Sequence, residues 1–319
     1  MQNKLYILIF GVLLTCNAMG QKIDPLASFR SINSETYFRF HYDNDYFTSS
    51  DQNYTQGYSF EFVLKSIEKN PLNTLLLNVP NSSKQYGLSL DHIGFTPNNI
   101  GSPEIQQGDR PFASAIMLKS FKINTDTINK MRLISAIRLG LIGPGAFGKE
   151  MQVAIHEQTG NTIPQGWQNQ IKNDVVANYQ VTLQKQLLSL SNYFSLQAEG
   201  SLNVGTLSTN ASTGVVAMLG LFNNPFTGTK RRGFQVYVYS QPTVTFVGYD
   251  ATLQGGLFNR KSPYTIASSD IERFVVQHNF GLVVQTKTLY FEYTSSDITR
   301  EFSSGPAAAW GGIKIGFTF

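Results

Sequence analysis

Apolar and polar residues alternate in short segments along most of this chain. Phe38, Phe40 and Tyr42 alternate with Arg39, His41 and Asp43. Tyr58, Phe60, Phe62 and Leu64 alternate with Ser59, Glu61, Val63 and Lys65. Tyr179, Val181 and Leu183 alternate with Asn178, Gln180, Thr182 and Gln184, and Leu289, Phe291 and Tyr293 flank Glu292. Successive side chains on a strand point to opposite faces, so each segment predicts a strand with one apolar and one polar face. Between turn-like clusters there are about ten to thirteen such segments, and a closed bacterial barrel takes an even number, so twelve is the expectation. Two stretches break the pattern. Residues 91–111 are rich in Gly, Pro, Asn and Gln. Residues 143–172 run from Gly143-Pro144-Gly145 through a helical pattern over Lys149 to Gln158, between Gly148 and Gly160, to Gly166-Trp167. Loops of that length in a compact fold are usually functional.

Alternation alone would also suit a soluble sandwich, so other features must separate the two. Ile313, Ile315, Phe317 and Phe319 share one face of a last strand, and Phe319 is the final residue. A terminal phenylalanine on such a strand resembles the assembly signal of outer-membrane barrels. The charged fraction is 14%, against about 25% in a typical soluble domain, while aromatics reach 13%. No apolar stretch after Gly20 approaches the length of a membrane-spanning helix. A chain poor in charge, rich in aromatics and without a spanning helix suits a transmembrane barrel with an apolar outer face. The reading is therefore all-β: one antiparallel outer-membrane barrel over residues 21–319, with a short helix in an extracellular loop. No linker, repeat or low-complexity tract marks a second domain.

The first twenty residues read as a cleaved signal peptide. Lys4 is followed by an apolar run from Leu5 to Leu14 and by Asn17-Ala18-Met19-Gly20, which predicts a mature start at Gln21. Cys16 raises lipoprotein processing as an alternative, although Thr15 fits that poorly. Cleavage after Gly20 removes the only cysteine and with it any disulfide or thiol chemistry. The net charge of +4 comes without a basic run, so nothing calls for nucleic acid.

Two clusters could carry chemistry. Gln152 and His156 are four apart and share a helical face. Asp43-Asn44-Asp45, with Asp51 and Tyr54-Thr55-Gln56-Gly57 close behind, offers hard oxygen ligands of the kind Ca²⁺ takes. It is not an EF-hand, because the sixth position lacks glycine and the twelfth is Tyr54; a solvated turn is the plain alternative. Gly143-Pro144-Gly145-Ala146-Phe147-Gly148 matches G-x-G-x-x-G in form, but it lacks the βαβ unit and ribose partner of a dinucleotide site. No G-x-S-x-G or H-E-x-x-H occurs.

Taken together, the motifs resemble the outer-membrane lipid A 3'-O-deacylases over nearly the whole mature chain. They are Asn44-Asp45, Asp51-x-x-Tyr54-Thr55-x-Gly57, Phe95-Thr96-Pro97, Asp109-Arg110-Pro111-Phe112-Ala113, Gly143-Pro144, Gln152-x-x-x-His156 and Pro164-x-Gly166-Trp167-x-x-Gln170. The resemblance implies a twelve-stranded barrel whose site lies between the wall and a loop helix near the outer rim. It implies Ca²⁺-dependent hydrolysis of the 3'-linked acyloxyacyl ester of lipid A, within lipopolysaccharide. His156 would be the general base, Asn44 and Asp45 would form the Ca²⁺ and oxyanion site, and Gln152 would orient or bind nearby. The resemblance leaves Asp51, Thr55 and Arg110 as substrate-binding or supporting residues, with Arg110 either bracing a loop or meeting a lipid A phosphate. It also implies handling by the barrel assembly machinery through the C-terminal strand. The sequence departs from the family at Ser114, where glycine usually stands, and at Asp43, where glutamate does. Three other readings stay open: a passive porin, an esterase or phospholipase with another substrate, and an inactive binding barrel.

Overall fold

The computed structural model describes residues 32, 34–44, 54–226 and 233–319. The leader expected over residues 1–20, and the candidates Asp45 and Asp51, lie outside them. Among the described residues twelve strands form: β1 (Tyr37–Asn44), β2 (Tyr54–Val63), β3 (Ser83–Phe95), β4 (Ala113–Asp126), β5 (Met131–Ile142), β6 (Asp174–Leu190), β7 (Phe194–Gly205), β8 (Ser208–Leu221), β9 (Gln235–Asp250), β10 (Phe274–Gln285), β11 (Leu289–Ile298) and β12 (Ala308–Thr318). Each pairs antiparallel with the next, and β12 closes onto β1 from Tyr37↔Thr318 to Asn44↔Gly311. Closure leaves no unpaired sheet edge, which is the condition for a sheet to stand in hydrocarbon. The loop helix forms as α1 (Gly148–Thr159), and one further short helix, α2 (Ala251–Gln254), follows β9.

The two faces divide as the alternation predicts. Outward residues such as Phe60, Phe62, Leu90, Leu118, Val244, Phe246 and Leu282 are exposed and form the lipid-facing wall. The inward residues Arg39, Glu61, Asp91, Lys119, Glu292 and Lys314 are all buried. They pair between neighbouring strands on the lumen side: Arg39 with Glu61 at 2.7 Å, Lys119 with Asp91 at 3.3 Å and Lys314 with Glu292 at 3.1 Å. Tyr37 donates to Glu61, and Tyr239 donates to Glu292. Apolar clusters lie to either side of this polar belt. One contains Phe95, Met117, Val247, Phe302 and Trp310, the other Tyr37, Phe121, Ile134, Tyr237 and Tyr290. The lumen is thus packed with side chains, as in small barrels, rather than open like a porin.

One expected boundary is corrected. Residues 91–95 belong to β3, not to the loop expected over 91–111. Asp91 reads as a loop residue, but in the lumen it accepts from Ser59 at 2.7 Å and Ser89 at 2.8 Å, beside Lys119. A carboxylate so satisfied does not break a strand.

Where the outer wall is polar, the chain covers it. Lys122 on β4 donates to the carbonyls of Asn73 and Leu76, and Asn124 donates to that of Leu77. Those carbonyls belong to the β2–β3 connection, whose 3₁₀ turns Lys65–Lys69 and Pro71–Leu75 fold back against the outside of the barrel. The outer face of β4 is therefore shielded from lipid along its lower half.

Candidate active site

Helix α1 is held against the outside of the barrel near the extracellular rim. Gly148, its first residue, meets the wall at Ser114; a Cβ there would stand 2.5 Å from the Ser114 Cβ and 2.8 Å from Trp167. The close approach that glycine at position 114 would allow is supplied instead from the helix side. The preceding turn, Pro144–Ala146, is fixed by His92, whose Nε2 lies 2.9 Å from the Ala146 carbonyl. A carbonyl can only accept, so Nε2 carries the proton. His92 is fully buried and stacks on Tyr58 at 4.9 Å between ring centroids.

Tyr58 registers with Tyr42 on one side and with His92 on the other. Tyr42 accepts a hydrogen bond from the Asn44 side-chain amide at 3.1 Å. An outward-facing row of aromatic and polar side chains therefore runs from the end of β1, which bears Asn44, to the turn that starts α1. Nothing in the sequence singled out His92, which fell within the loop expected over 91–111 and lies instead on β3.

Both helix candidates are buried on one face of α1, as their four-residue spacing predicts. His156 places Nδ1 2.6 Å from the Thr162 carbonyl, in the segment after the helix. The neutral imidazole must then hold its proton on Nδ1 and present a lone pair at Nε2. Gln152 accepts from the Trp167 indole at 2.7 Å, and Trp167 packs on Phe112 at 5.0 Å. That bond ties the helix to the 3₁₀ turn Gly166–Asn169. Gln152 therefore fixes the helix that carries His156. Thr55 lies within β2.

Arg110 is placed away from that row, in a buried clamp among three extracellular loops. Its guanidinium donates to Glu301 at 2.7 Å and to Thr252 at 2.9 Å, and stacks over Phe95 at 4.1 Å. Thr252 in turn donates to Asp250 at 2.7 Å. Of the two roles left open for Arg110, bracing the loops is the one this geometry fits. One cation here faces two carboxyl groups. Burial pushes the Glu301 carboxyl up to about 7, against the downward pull of Arg110, while Asp250 pushes it further up.

A carboxyl raised in the folded state stabilises it most below the ordinary carboxylate range, and that contribution is lost as pH rises through about 7. Limited proteolysis should therefore cut loops 97–111 and 299–307 faster at pH 8 than at pH 5.5, after correction for protease activity. Glu301→Gln should flatten the difference. Arg110→Lys keeps the charge but loses the fork and the stacking, and should cost about 1–2 kcal/mol, read from urea unfolding.

Among the described residues no group of three or more His, Cys, Asp or Glu is placed to hold a metal. Asn44 is the one metal candidate whose side chain is described, and its amide oxygen is a hard donor of the kind Ca²⁺ accepts.

The comparisons agree with this architecture. The family model for outer membrane protein LpxR matches residues 7–319. The solved structure of LpxR from Salmonella typhimurium superposes with a TM-score of 0.73 at 20% identity, covering 89% of this chain and 100% of that one. At that identity the likeness speaks for the fold. The β domain of the Bordetella autotransporter BrkA matches at a TM-score of 0.46 and 9% identity, over 89% of this chain and 99% of that one, too distant to carry an argument. No curated protein sequence matches the chain. A closed twelve-stranded barrel, a loop helix on its outer wall and a family match over almost the full length lead to one assignment: the chain belongs to the LpxR family of outer membrane proteins.

Proposed function

We propose that this protein is a lipid A deacylase of the outer membrane, hydrolysing the 3'-linked acyloxyacyl ester with His156 as general base. The observation that carries the reading is the 2.6 Å contact between His156 Nδ1 and the Thr162 carbonyl. It holds the ring in one orientation and leaves Nε2 as the proton acceptor, which is what activating a water molecule requires. His156 takes a proton from water at Nε2 as the water oxygen adds to the ester carbonyl carbon; collapse of the adduct breaks the acyl–oxygen bond, and the proton passes to the leaving alcohol. Gln152 keeps the helix in place through Trp167. The apolar wall beside the site suits an ester presented by a lipid within the membrane.

Asn44 and Asp45 would hold Ca²⁺, which when bound polarises the ester carbonyl and stabilises the developing oxyanion. Asp51 and Thr55, close by in sequence, are assigned supporting places around it. A chelator should abolish acyl release from lipid A vesicles, with Ca²⁺ restoring it, as read by mass spectrometry of the lipid product. Undiminished release in excess chelator would reject the Ca²⁺ part of the reading and leave the His156 part standing.

The C-terminal strand is also proposed as the element that the barrel assembly machinery reads. The Phe319 side chain is 68% exposed, whereas its backbone N–H reaches Thr36 across the closing seam. Deleting Phe319 should therefore lower the yield of heat-modifiable protein in the outer membrane far more than activity per folded molecule. An unchanged yield would remove that role.

A further inference from the structure

Ser240, His278 and Asp297 lie together on the lipid-facing wall of β9, β10 and β11, diametrically across the barrel from the strands under α1. The alternation fixes their direction. On β9, Tyr239 reaches into the lumen to Glu292 and Gln241 to Glu199, so Ser240 between them points outward. On β10, the neighbours Gln277 and Asn279 bond each other on the lumen side, and Asn279 accepts from Ser296. That leaves His278 facing out and, on β11, Asp297 beside Ser296 facing out as well. The Ser240 hydroxyl lies 2.8 Å from His278 Nε2, and Asp297 stands directly opposite His278 in the β10–β11 register. Directly opposed residues on one sheet face bring their Cβ atoms within about 5 Å.

The surroundings make this cluster unusual. Phe246 and Phe274 pack at a tilt, 5.5 Å between ring centroids, on the extracellular side of it, and Phe280, Leu282 and Tyr293 lie on its periplasmic side, all exposed. Polar and ionisable groups on a lipid-facing wall cost free energy and usually mark function. At two other places on this wall the chain covers polar groups, with the 3₁₀ turns over Lys122 and Asn124 and the Pro144–Ala146 turn over His92. Here the three polar side chains remain half-buried on the wall, with Ser240 bonded to His278 and Asp297 opposite it in the ladder.

A second irregularity sits at the same place. Pro242, which registers with His278, lies within a strand paired on both sides, where proline is disfavoured because it cannot donate to the ladder. The β8–β9 register stops at Gly214↔Thr243 and resumes at Ala217↔Ser240, opening the ladder beside the cluster.

We infer that Ser240, His278 and Asp297 form a second ester-cleaving site, directed at fatty acyl esters of lipids in the surrounding membrane. His278 Nε2 accepts the Ser240 proton as Oγ adds to the ester carbonyl carbon. Collapse of the adduct breaks the acyl–oxygen bond, and His278 returns the proton to the departing lipid alcohol. Water, deprotonated in turn by His278, then releases the fatty acid and regenerates Ser240. Asp297, opposite His278 in the ladder, acts as a counter-charge for its cation. The shared substrate chemistry is a carboxylic ester of a long acyl chain, carried by a glycerophospholipid or by lipid A.

The probe is a long-chain alkyl fluorophosphonate applied to the folded protein in vesicles, followed by peptide mass spectrometry. The expected adduct is on Ser240, absent in Ser240→Ala and formed at least about 10²-fold more slowly in His278→Asn, with both variants heat-modifiable. Asp297→Asn should slow labelling and shift its pH profile, a change that mere loss of a surface charge would not produce. Fatty acid release is measured in parallel on phosphatidylethanolamine vesicles and on lipid A vesicles. Whichever set loses release in Ser240→Ala identifies the lipid that carries the ester. Absence of an adduct at Ser240 on folded wild-type protein, or release from both vesicle types unchanged in Ser240→Ala, overturns the inference. Labelling at Ser240 does not depend on His156, so failure here and failure of the lipid A reading are separate results.

Discussion

Replacing His156 by asparagine is expected to lower 3'-acyl release from lipid A by about 10² to 10⁴-fold, the usual cost of losing a general base. Asparagine retains size and can still donate to the Thr162 carbonyl, which His156 Nδ1 reaches at 2.6 Å. It cannot take a proton at the position of Nε2. The loss should therefore fall on kcat while the helix stays docked, because Gly148 against Ser114 and Gln152 to Trp167 are untouched. Heat-modifiability should be unchanged, since α1 lies outside the strand ladder. Gln152→Ala should act differently: it removes the acceptor of the buried Trp167 indole, at about 1–3 kcal/mol, and loosens the helix. Its deficit should be smaller than that of His156→Asn. Wild-type release by the His156 variant, measured by mass spectrometry of lipid A, would reject His156 as base and leave untouched the family assignment, which rests on the match over residues 7–319.

How much of this was legible in the sequence follows from how local each feature is. The period-two pattern of Arg39, His41 and Asp43 against Phe38, Phe40 and Tyr42 reported the lumen and the wall directly, because neither face depends on distant chain. The four-residue spacing of Gln152 and His156 likewise reported one buried helical face. Partners brought together by closure could not be read this way. Arg110 meets Glu301 across 191 residues, and only the folded loops decide between a lipid phosphate and a clamp. His92 and Thr162 carry no spacing signal, since each acts through a backbone carbonyl or lies in an irregular segment. Ser240, His278 and Asp297 sit on three strands, and no short motif contains them. The boundary misplaced at Asp91 has the same origin: the residues that satisfy its carboxylate come from β2 and β4 as well as β3.

Replacing Arg39 by methionine is expected to destabilise the folded barrel by about 3–5 kcal/mol, because Glu61 would be left as a buried charge without its cation. Arg39 and Glu61 are 3% exposed each, and water reaches them poorly from either mouth past the apolar clusters. Tyr37 would remain as a donor to Glu61, but one neutral hydrogen bond does not replace a guanidinium at 2.7 Å. Changing both partners, Arg39→Met with Glu61→Leu, should recover most of the loss, since a well-packed apolar pair often equals a buried ion pair. The measurement is the urea midpoint of the heat-modifiable band in lipid vesicles for the two single variants and the double. The same packing bears on the porin alternative. A lumen lined by Arg39–Glu61, Lys119–Asp91 and Lys314–Glu292 has its charges engaged with one another and capped on both sides by apolar side chains. Wild-type protein in planar bilayers should therefore show no steady conductance. If Arg39→Met opened a channel without loss of stability, the pair would be a gate in a pore; if it lowers stability without conductance, the belt is what holds the barrel closed around its core.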